Sequence, residues 1–369
     1  MTTPPWKYVH PLSVPRLGLA AATAAAPAPQ SGSRIYAIGG ADFAAAAVSV
    51  LATVEAYDTS TNSWSNTPPI QPMHTARLTL AAASGPDGLH ALGGMDASQT
   101  ILTTHEIYEP ATNAWSPAPS MPTARAGLAA ATGTGPHGLI YAIGGYNIPA
   151  AAWQNQYLNS VDAYDPATGA WSSPPPTAMS TPRAFHAAVT GLDGVIYAIG
   201  GYNSDEQPLS SVEAYYPSLD RWFFKPPLPA GLIGLAAAVD AKGLIYAIGG
   251  IDATNGAQPS VYSYNPADPS AKWTQQDSLL TASANLAAAT GPDGLIYAIG
   301  GAGGSPSGTL STVEAYTAPD PCADIRAQIE SFNEGDWQSP QAALAGFRAL
   351  EFALIACERE HGAWPVIKG

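Results

Sequence analysis

Eight residues, Gly-Leu-Ile-Tyr-Ala-Ile-Gly-Gly, occur three times unchanged in this chain, at 138–145, 243–250 and 294–301. Variants stand at 34–40 (RIYAIGG), 88–94 (GLHALGG) and 194–201 (GVIYAIGG). The six diglycines are 54, 51, 56, 49 and 51 residues apart. A fixed period of this length means one small unit copied six times. Each unit buries its faces only by stacking on its neighbours. The 369 residues are therefore read as a repeat array rather than as two or three unrelated domains.

The third unit shows the pattern. Arg125 to Thr132 (RAGLAAAT) reads as a first strand, Leu139 to Ile143 as a second, Ser160 to Tyr164 as a third, and Ala170-Trp171-Ser172 opens a fourth. Glycine-rich and Asp-Pro turns separate them, so one unit is a four-stranded antiparallel sheet. Alanine runs such as LAAAT favour helix by propensity. Their recurrence before a strand–turn signal favours a strand nearest a common axis, where six sheets converge and only small side chains fit. The diglycine ending the second strand allows positive φ and close backbone approach.

Trp64, Trp115, Trp171, Trp222 and Trp273 fall once per unit, after the third strand. The sixth unit has none there. Trp6 stands ten residues before Arg16, as Trp115 stands ten before Arg125. Trp6 to about Pro11 is thus expected to supply the last fourth strand and to close the ring, leaving no open sheet edge.

Paired glycines, a tyrosine–turn segment and a tryptophan at fixed offsets, six times over, resemble the kelch family. The resemblance covers residues 1 to about 319 and implies a six-bladed β-propeller. It does not imply one function: kelch propellers include interaction modules, a copper oxidase, sugar-processing enzymes and iron-assisted specifier proteins. The cysteine–tyrosine crosslink of the oxidase has no counterpart, since the propeller part lacks cysteine, and the Glu-x3-Asp-x3-His pattern of specifier proteins is absent. The seven histidines show no ligand-like spacing. No metal, cofactor or catalytic residue is assigned.

Beyond Ala318 the composition changes. Residues 320–369 read as a C-terminal α-helical hairpin, with Ser339-Pro340 starting its second helix and Leu344, Phe347, Leu350, Leu354 and Cys357 on one stripe. Cys322 and Cys357 can approach as a disulfide or stay buried thiols. The hairpin is also a candidate surface for homo-oligomers. The net charge of −14 argues against nucleic acid as a partner. No apolar run approaches 18 residues, so no membrane-spanning helix is expected. Met1 to Pro11 has no secretory pattern, which points to the cytoplasm; a disulfide or a removed signal would point outside it.

Departures from the repeat locate candidate function. Arg16, Arg77, Arg125 and Arg183 open the first strand in four units, where the others have Leu232 and Ser283. These are four of the ten Lys and Arg in the propeller part. Two readings are open: the guanidinium groups bond turn carbonyls between blades, or they form a partial cationic ring at the channel mouth that binds a carboxylate. In kelch modules that bind acidic peptides, this arginine and the residues after the diglycine line the mouth. The resemblance thus implies Arg16, Arg77, Arg125, Arg183, Tyr146, Asn147, Tyr202 and Asn203 as ligand-binding. Phe185 and His186 replace the usual Gly-Leu of the fourth unit, and Trp153 lies in the longest loop; both features add to the candidate rim.

The expected function is a binding module for an acidic peptide, protein or small anion, favoured over an enzyme. The alternatives are a carbohydrate-processing enzyme resembling kelch-fold sialic acid epimerases, and a scaffold that oligomerises through the hairpin. Ring closure by the N-terminal strand makes one prediction independent of these. Removing residues 1–10 destabilises the whole propeller, and an unchanged thermal unfolding midpoint would contradict closure.

Overall fold

The structure is a computed structural model. It describes residues 5–318 except 28, 29, 31, 44–47, 66–68, 149–155, 206 and 304–307, and beyond 318 only Ile329, Arg348, Leu350, Glu351 and Ala353. By its contacts the chain divides into two compact units, Met1–Tyr316 and Thr317–Gly369.

The first unit is a propeller of six four-stranded antiparallel sheets. Blade 1 runs outward through Ala20–Ala25, Ser33–Ile38, Val54–Asp58 and Ser63–Ser65. Blade 2 holds Ala81–Gly85, Gly88–Leu92, His105–Glu109 and Ala114–Pro117; blade 3 holds Ala129–Thr132, Ile140–Ile143, Val161–Asp165 and Ala170–Trp171. Blade 4 holds Ala187–Thr190, Ile196–Ile199, Val212–Tyr216 and Arg221–Lys225, and blade 5 Ala236–Val239, Ile245–Ile248, Val261–Tyr264 and Thr274–Gln276. Blade 6 takes Ala287–Thr290, Ile296–Ile299 and Val313–Tyr316 from one end of the chain and Trp6–Tyr8 from the other. The register there is Trp6↔Tyr316, Lys7↔Ala315 and Tyr8↔Glu314. The alanine runs are strands, as their place in the repeat implied.

Both faces of each sheet are covered. One apolar cluster joins blades 6 and 1, and others join 1 to 2, 2 to 3, 3 to 4 and 4 to 5; between blades 5 and 6 Tyr246 packs on Tyr316 at 5.5 Å. A strand covered on two faces reads as a continuous apolar run rather than an alternating one. Hence all four residues of Ile-Tyr-Ala-Ile are buried in blades 3, 4, 5 and 6. Each blade's outer tryptophan packs on a tyrosine near the end of the third strand, from Trp6–Tyr316 at 4.9 Å to Tyr164–Trp171 at 5.5 Å between ring centroids. Its indole N–H donates to a carbonyl of the linker leading into that blade: Trp115 to Gln71, Trp273 to Pro226, and Trp6 to Asp277.

The diglycines join neighbouring blades. The amide of each second glycine donates to the carbonyl of the residue that opens the next blade's first strand. The pairs run Gly40 to Arg77, Gly94 to Arg125, Gly145 to Arg183, Gly201 to Leu232, Gly250 to Ser283 and, closing the circle, Gly301 to Arg16, all at 2.8–2.9 Å. At the first glycine of each pair φ is near +60°, and a Cβ would stand 2.4 to 2.8 Å from that same carbonyl. Only glycine fits.

The expected C-terminal helical hairpin is corrected. Among the described residues every continuous element is a strand. The five described residues beyond 318 are scattered positions with helical backbone and make up no interpretable helix. An amphipathic stripe states which face a helix would bury, not that a surface exists to bury it, and packing supplies most helical stability. Oligomerisation through such a hairpin loses its basis with it. Cys322, Cys357, Leu344, Phe347 and Leu354 lie outside the described residues.

Substituting Gly93 tests the inter-blade junction, since its Cβ would meet Arg125 O at 2.4 Å. Gly93→Ala is expected to cost about 2 kcal/mol or more, from left-handed strain plus overpacking. The measurement is the urea unfolding midpoint, compared with Gly32→Ala, where a Cβ meets nothing within 4 Å.

Candidate functional site

The four arginines do not line a mouth. Arg16, Arg77, Arg125 and Arg183 are each 0% exposed. Each reaches from the opening of its blade's first strand into the blade. Nη1 donates to the carbonyl of the first diglycine residue, Gly39, Gly93, Gly144 or Gly200, at 2.8–3.1 Å. It also donates to a carbonyl just before the third strand, Thr53, Thr104, Ser160 or Ser211, at 2.8–3.1 Å. Nη2 meets a buried carboxylate on that strand: Glu55, Glu106 at 3.0 Å, Asp162 at 2.7 Å and Glu213 at 2.8 Å. Burial lowers each guanidinium pKa and the carboxylate opposes this; Arg77 falls to about 10 and stays charged at neutral pH.

The expected cationic ring is thereby corrected in favour of carbonyl bonding, here inside each blade. A charge taken out of water must be paired and hydrogen-bonded. The partners were legible. An acidic residue stands one position into the third strand of the same four blades, within TVEAY, THEIY, SVDAY and SVEAY. Blade 5, which has Leu232 for the arginine, also has Tyr262 for the acid.

The channel mouth is built from the residues two positions after the arginine. Gly18, Thr79, Gly127, Phe185, Gly234 and Asn285 all have left-handed φ, between +51° and +62°. Their amides and carbonyls form a closed circle around the axis: Thr79 N–H donates to Gly18, Gly127 to Thr79, Phe185 to Gly127, Gly234 to Phe185, Asn285 to Gly234 and Gly18 to Asn285, at 2.7–2.9 Å. Glycine alternates with a side chain. Thr79, Phe185 and Asn285 each lie against the glycine of the preceding blade, where a Cβ would meet them at 3.4 Å or closer.

Inside this collar a cavity of about 100 Å³ is lined by the collar residues and by the next residue of each blade. That residue is leucine in five blades and His186 in blade 4. No charged residue lines it. His186 is 5% exposed, and neither ring nitrogen has a hydrogen-bond partner. Burial, then the nearby Arg183 charge, lowers its pKa well below 6.5, so the imidazole is neutral.

Phe185 packs on Tyr146 at 5.5 Å, and Tyr157 on Tyr202 at 5.8 Å between centroids. Tyr146 and Tyr157 are opposed in a two-residue extension sheet, and Tyr202 and Tyr146 bridge Ala184 and Ala126 at the openings of blades 4 and 3. The structure thus brings Tyr146 against Phe185, and Tyr202 against Tyr157, at the junction of blades 3 and 4, with His186 next along the chain from Phe185. Asn203 is buried and closes a local turn with Asp205, and Asn147 accepts the amide of Ile148. Trp153 lies outside the described residues. Tyr157 shares the loop of Trp153, which was expected to add to the rim; Thr79 and Asn285 were not expected, since a positive-φ position held by a non-glycine residue has no sequence signature.

One further cluster lies inside blade 2. His90 replaces the tyrosine of the second strand and His105 the valine that opens the third. His90 Nε2 lies 2.8 Å from Asp87 Oδ1, and its Nδ1 lies 2.9 Å from His105 Nε2. In blades 4 and 6 the tyrosine O–H donates to the matching Asp193 and Asp293, and His90 Nε2 stands in the place of that donor toward Asp87; on the other side His105 Nδ1 lies 3.3 Å from the Pro119 carbonyl. Tyr164 packs on both rings. Burial depresses both pKa values, His105 to about 3, with the Arg77 charge adding to the effect.

A histidine whose pKa is depressed on folding contributes stability above its unfolded value near 6.5, and that stability is lost as the pH falls toward the folded value. The urea midpoint is therefore expected to drop between pH 6.5 and about 3. The drop should be smaller in His90→Tyr/His105→Val, which restores the residues of the other blades. Equal slopes for both proteins would refute the assignment.

Residues 24–227, more than half of the chain, match a family model described as the KLHDC2/KLHL20/DRC7 Kelch-repeats domain. Human Kelch-like protein 34 is 30% identical over 236 residues, 61% of this chain and 33% of that protein. Alpha-scruin of Limulus polyphemus is 34% identical over 128 residues, 34% of this chain and 13% of that protein. The chain spans about a third or less of the length of these relatives. A solved structure of YjhT superposes with a TM-score of 0.66 at 15% identity, over 85% of this chain and 98% of that one. At this identity the likeness is one of fold. It leaves an enzymatic role at least as open as a non-enzymatic one, which corrects the expectation that a binding module is favoured over an enzyme. Six blades, their diglycine junctions and the matched model together place this chain in the Kelch-repeat family.

Proposed function

We propose that this propeller is a carbohydrate-processing enzyme whose substrate meets the collar at the junction of blades 3 and 4. The observation that carries the reading is His186. It stands in a leucine slot with both nitrogens unpartnered, at the wall of an uncharged cavity. A buried polar group without a partner is costly, and a ligand hydroxyl would satisfy it.

The surroundings suit a sugar. Phe185 presents an aromatic face and Asn285 an amide, a combination of apolar wall and few placed polar groups typical of small-molecule sites. A cavity of about 100 Å³ admits a hydroxyl or hydroxymethyl arm, while the ring rests on the aromatic rim. The four arginines are spent inside the blades. The collar therefore favours a neutral sugar over an acidic peptide or sugar acid. His186, the one titratable side chain on the cavity wall, accepts a hydroxyl proton or donates its own; its low pKa makes it a hydrogen-bonding group first and a base only once a ligand supports its charge.

The test is conversion of a panel of neutral sugars and sugar acids followed by proton NMR. His186→Leu restores the residue of the other five blades, so it is expected to fold and to lose turnover by about 100-fold or more. Conversion of no sugar by the parent, or full activity in His186→Leu, would overturn the reading.

A further inference from the structure

Blade 6 keeps one half of the arginine–carboxylate pair. Glu314 stands opposite Ala298, as Glu55 stands opposite Ala37 and Glu213 opposite Ala198. Its two oxygens accept the amides of Leu280 and Thr281 at 2.7 and 2.8 Å. Glu213 accepts the matching amides of Ser180 and Thr181 at 2.8 and 3.0 Å, and Arg183 besides. In blade 6 the arginine is Ser283, whose hydroxyl donates to Gly300 O at 2.8 Å. That carbonyl is the counterpart of those that accept Nη1 in the first four blades. Among the described residues no cation pairs with Glu314, which is 3% exposed.

Blade 5 shows what full loss of the pair looks like: Leu232 and Tyr262 replace both partners, and neither position keeps a charge. Blade 6 instead retains the carboxylate, its two amide donors and the carbonyls of Gly300 and Thr312, behind a far shorter side chain. Four filled copies in the same molecule state which chemistry this arrangement accepts. A planar guanidinium there bonds the diglycine carbonyl, the carbonyl before the third strand and the carboxylate at once.

We propose that blade 6 carries a guanidinium-binding site formed by Glu314 with the carbonyls of Gly300 and Thr312. Ser283 is 4% exposed, so the site takes a small guanidinium compound rather than the surface of a folded partner. It is separate from the collar and does not rest on the carbohydrate reading. Burial raises the carboxyl pKa of Glu314, in keeping with a carboxylate that lacks its cation.

The probe is methylguanidinium, titrated into the full chain at millimolar concentration and followed by amide NMR at Leu280 and Thr281. Saturable shifts at both amides are expected in the parent, with none from sodium chloride at equal ionic strength. Ser283→Arg supplies the guanidinium covalently; it is expected to abolish the response and to raise Tm by about 2 °C. Glu314→Gln should also abolish the response. No saturable shift in the parent, or an undiminished one in Ser283→Arg, would overturn the proposal; the arginine variant alone decides it if Glu314→Gln does not fold.

Discussion

Six amide-to-carbonyl hydrogen bonds, one from each diglycine to the first strand of the next blade, hold this propeller as a ring. Each blade is a sheet with two apolar faces and cannot be stable alone. What fixes the stacking is the approach of one backbone to another at the end of each second strand. That approach forbids a Cβ at Gly39, Gly93, Gly144, Gly200, Gly249 and Gly300. The last bond, Gly301 to Arg16, exists only because Trp6–Tyr8 completes blade 6 and brings the N-terminal segment to the start of blade 1. Closure removes the sheet edges an open array would expose.

Inside that ring the arginines act as internal clamps. Each ties three parts of its own blade, the first strand's opening, the diglycine and the third strand, through one planar group. A buried ion pair adds little net stability relative to apolar residues of equal volume, but losing one partner is costly. Blade 5 follows the first half of that rule, with Leu232 and Tyr262 in the two places. Blade 6 follows neither half, and the carboxylate it keeps is what sets it apart. On an acidic protein this use of arginine removes cations from the surface and leaves the mouth neutral.

The mouth depends on the same economy of space. Left-handed backbone at six equivalent positions closes the inner hydrogen-bond circle, and at three of them a side chain tolerates the strain. Thr79, Phe185 and Asn285 lean on glycines that leave room for them. His186 then occupies a place shaped for leucine, where its nitrogens find no protein partner. The candidate site is thus a set of local exceptions within a strict repeat, supported on both sides by blades that obey it.

The repeat made the fold readable from the chain alone. The diglycine spacing told the number of blades, and the tryptophan offset told which strand closes the ring, because both are local covalent periods. Phe185 and His186 stood out for the same reason. The destination of Arg16, Arg77, Arg125 and Arg183 was decided only in three dimensions. A repeat position tells where a side chain starts, not which way it turns, and the turn was settled by Glu55, Glu106, Asp162 and Glu213, each 29 to 39 residues further along. The apolar stripe beyond 318 was just as local, but a stripe alone does not decide whether a helix packs, because that depends on a surface the stripe itself does not encode.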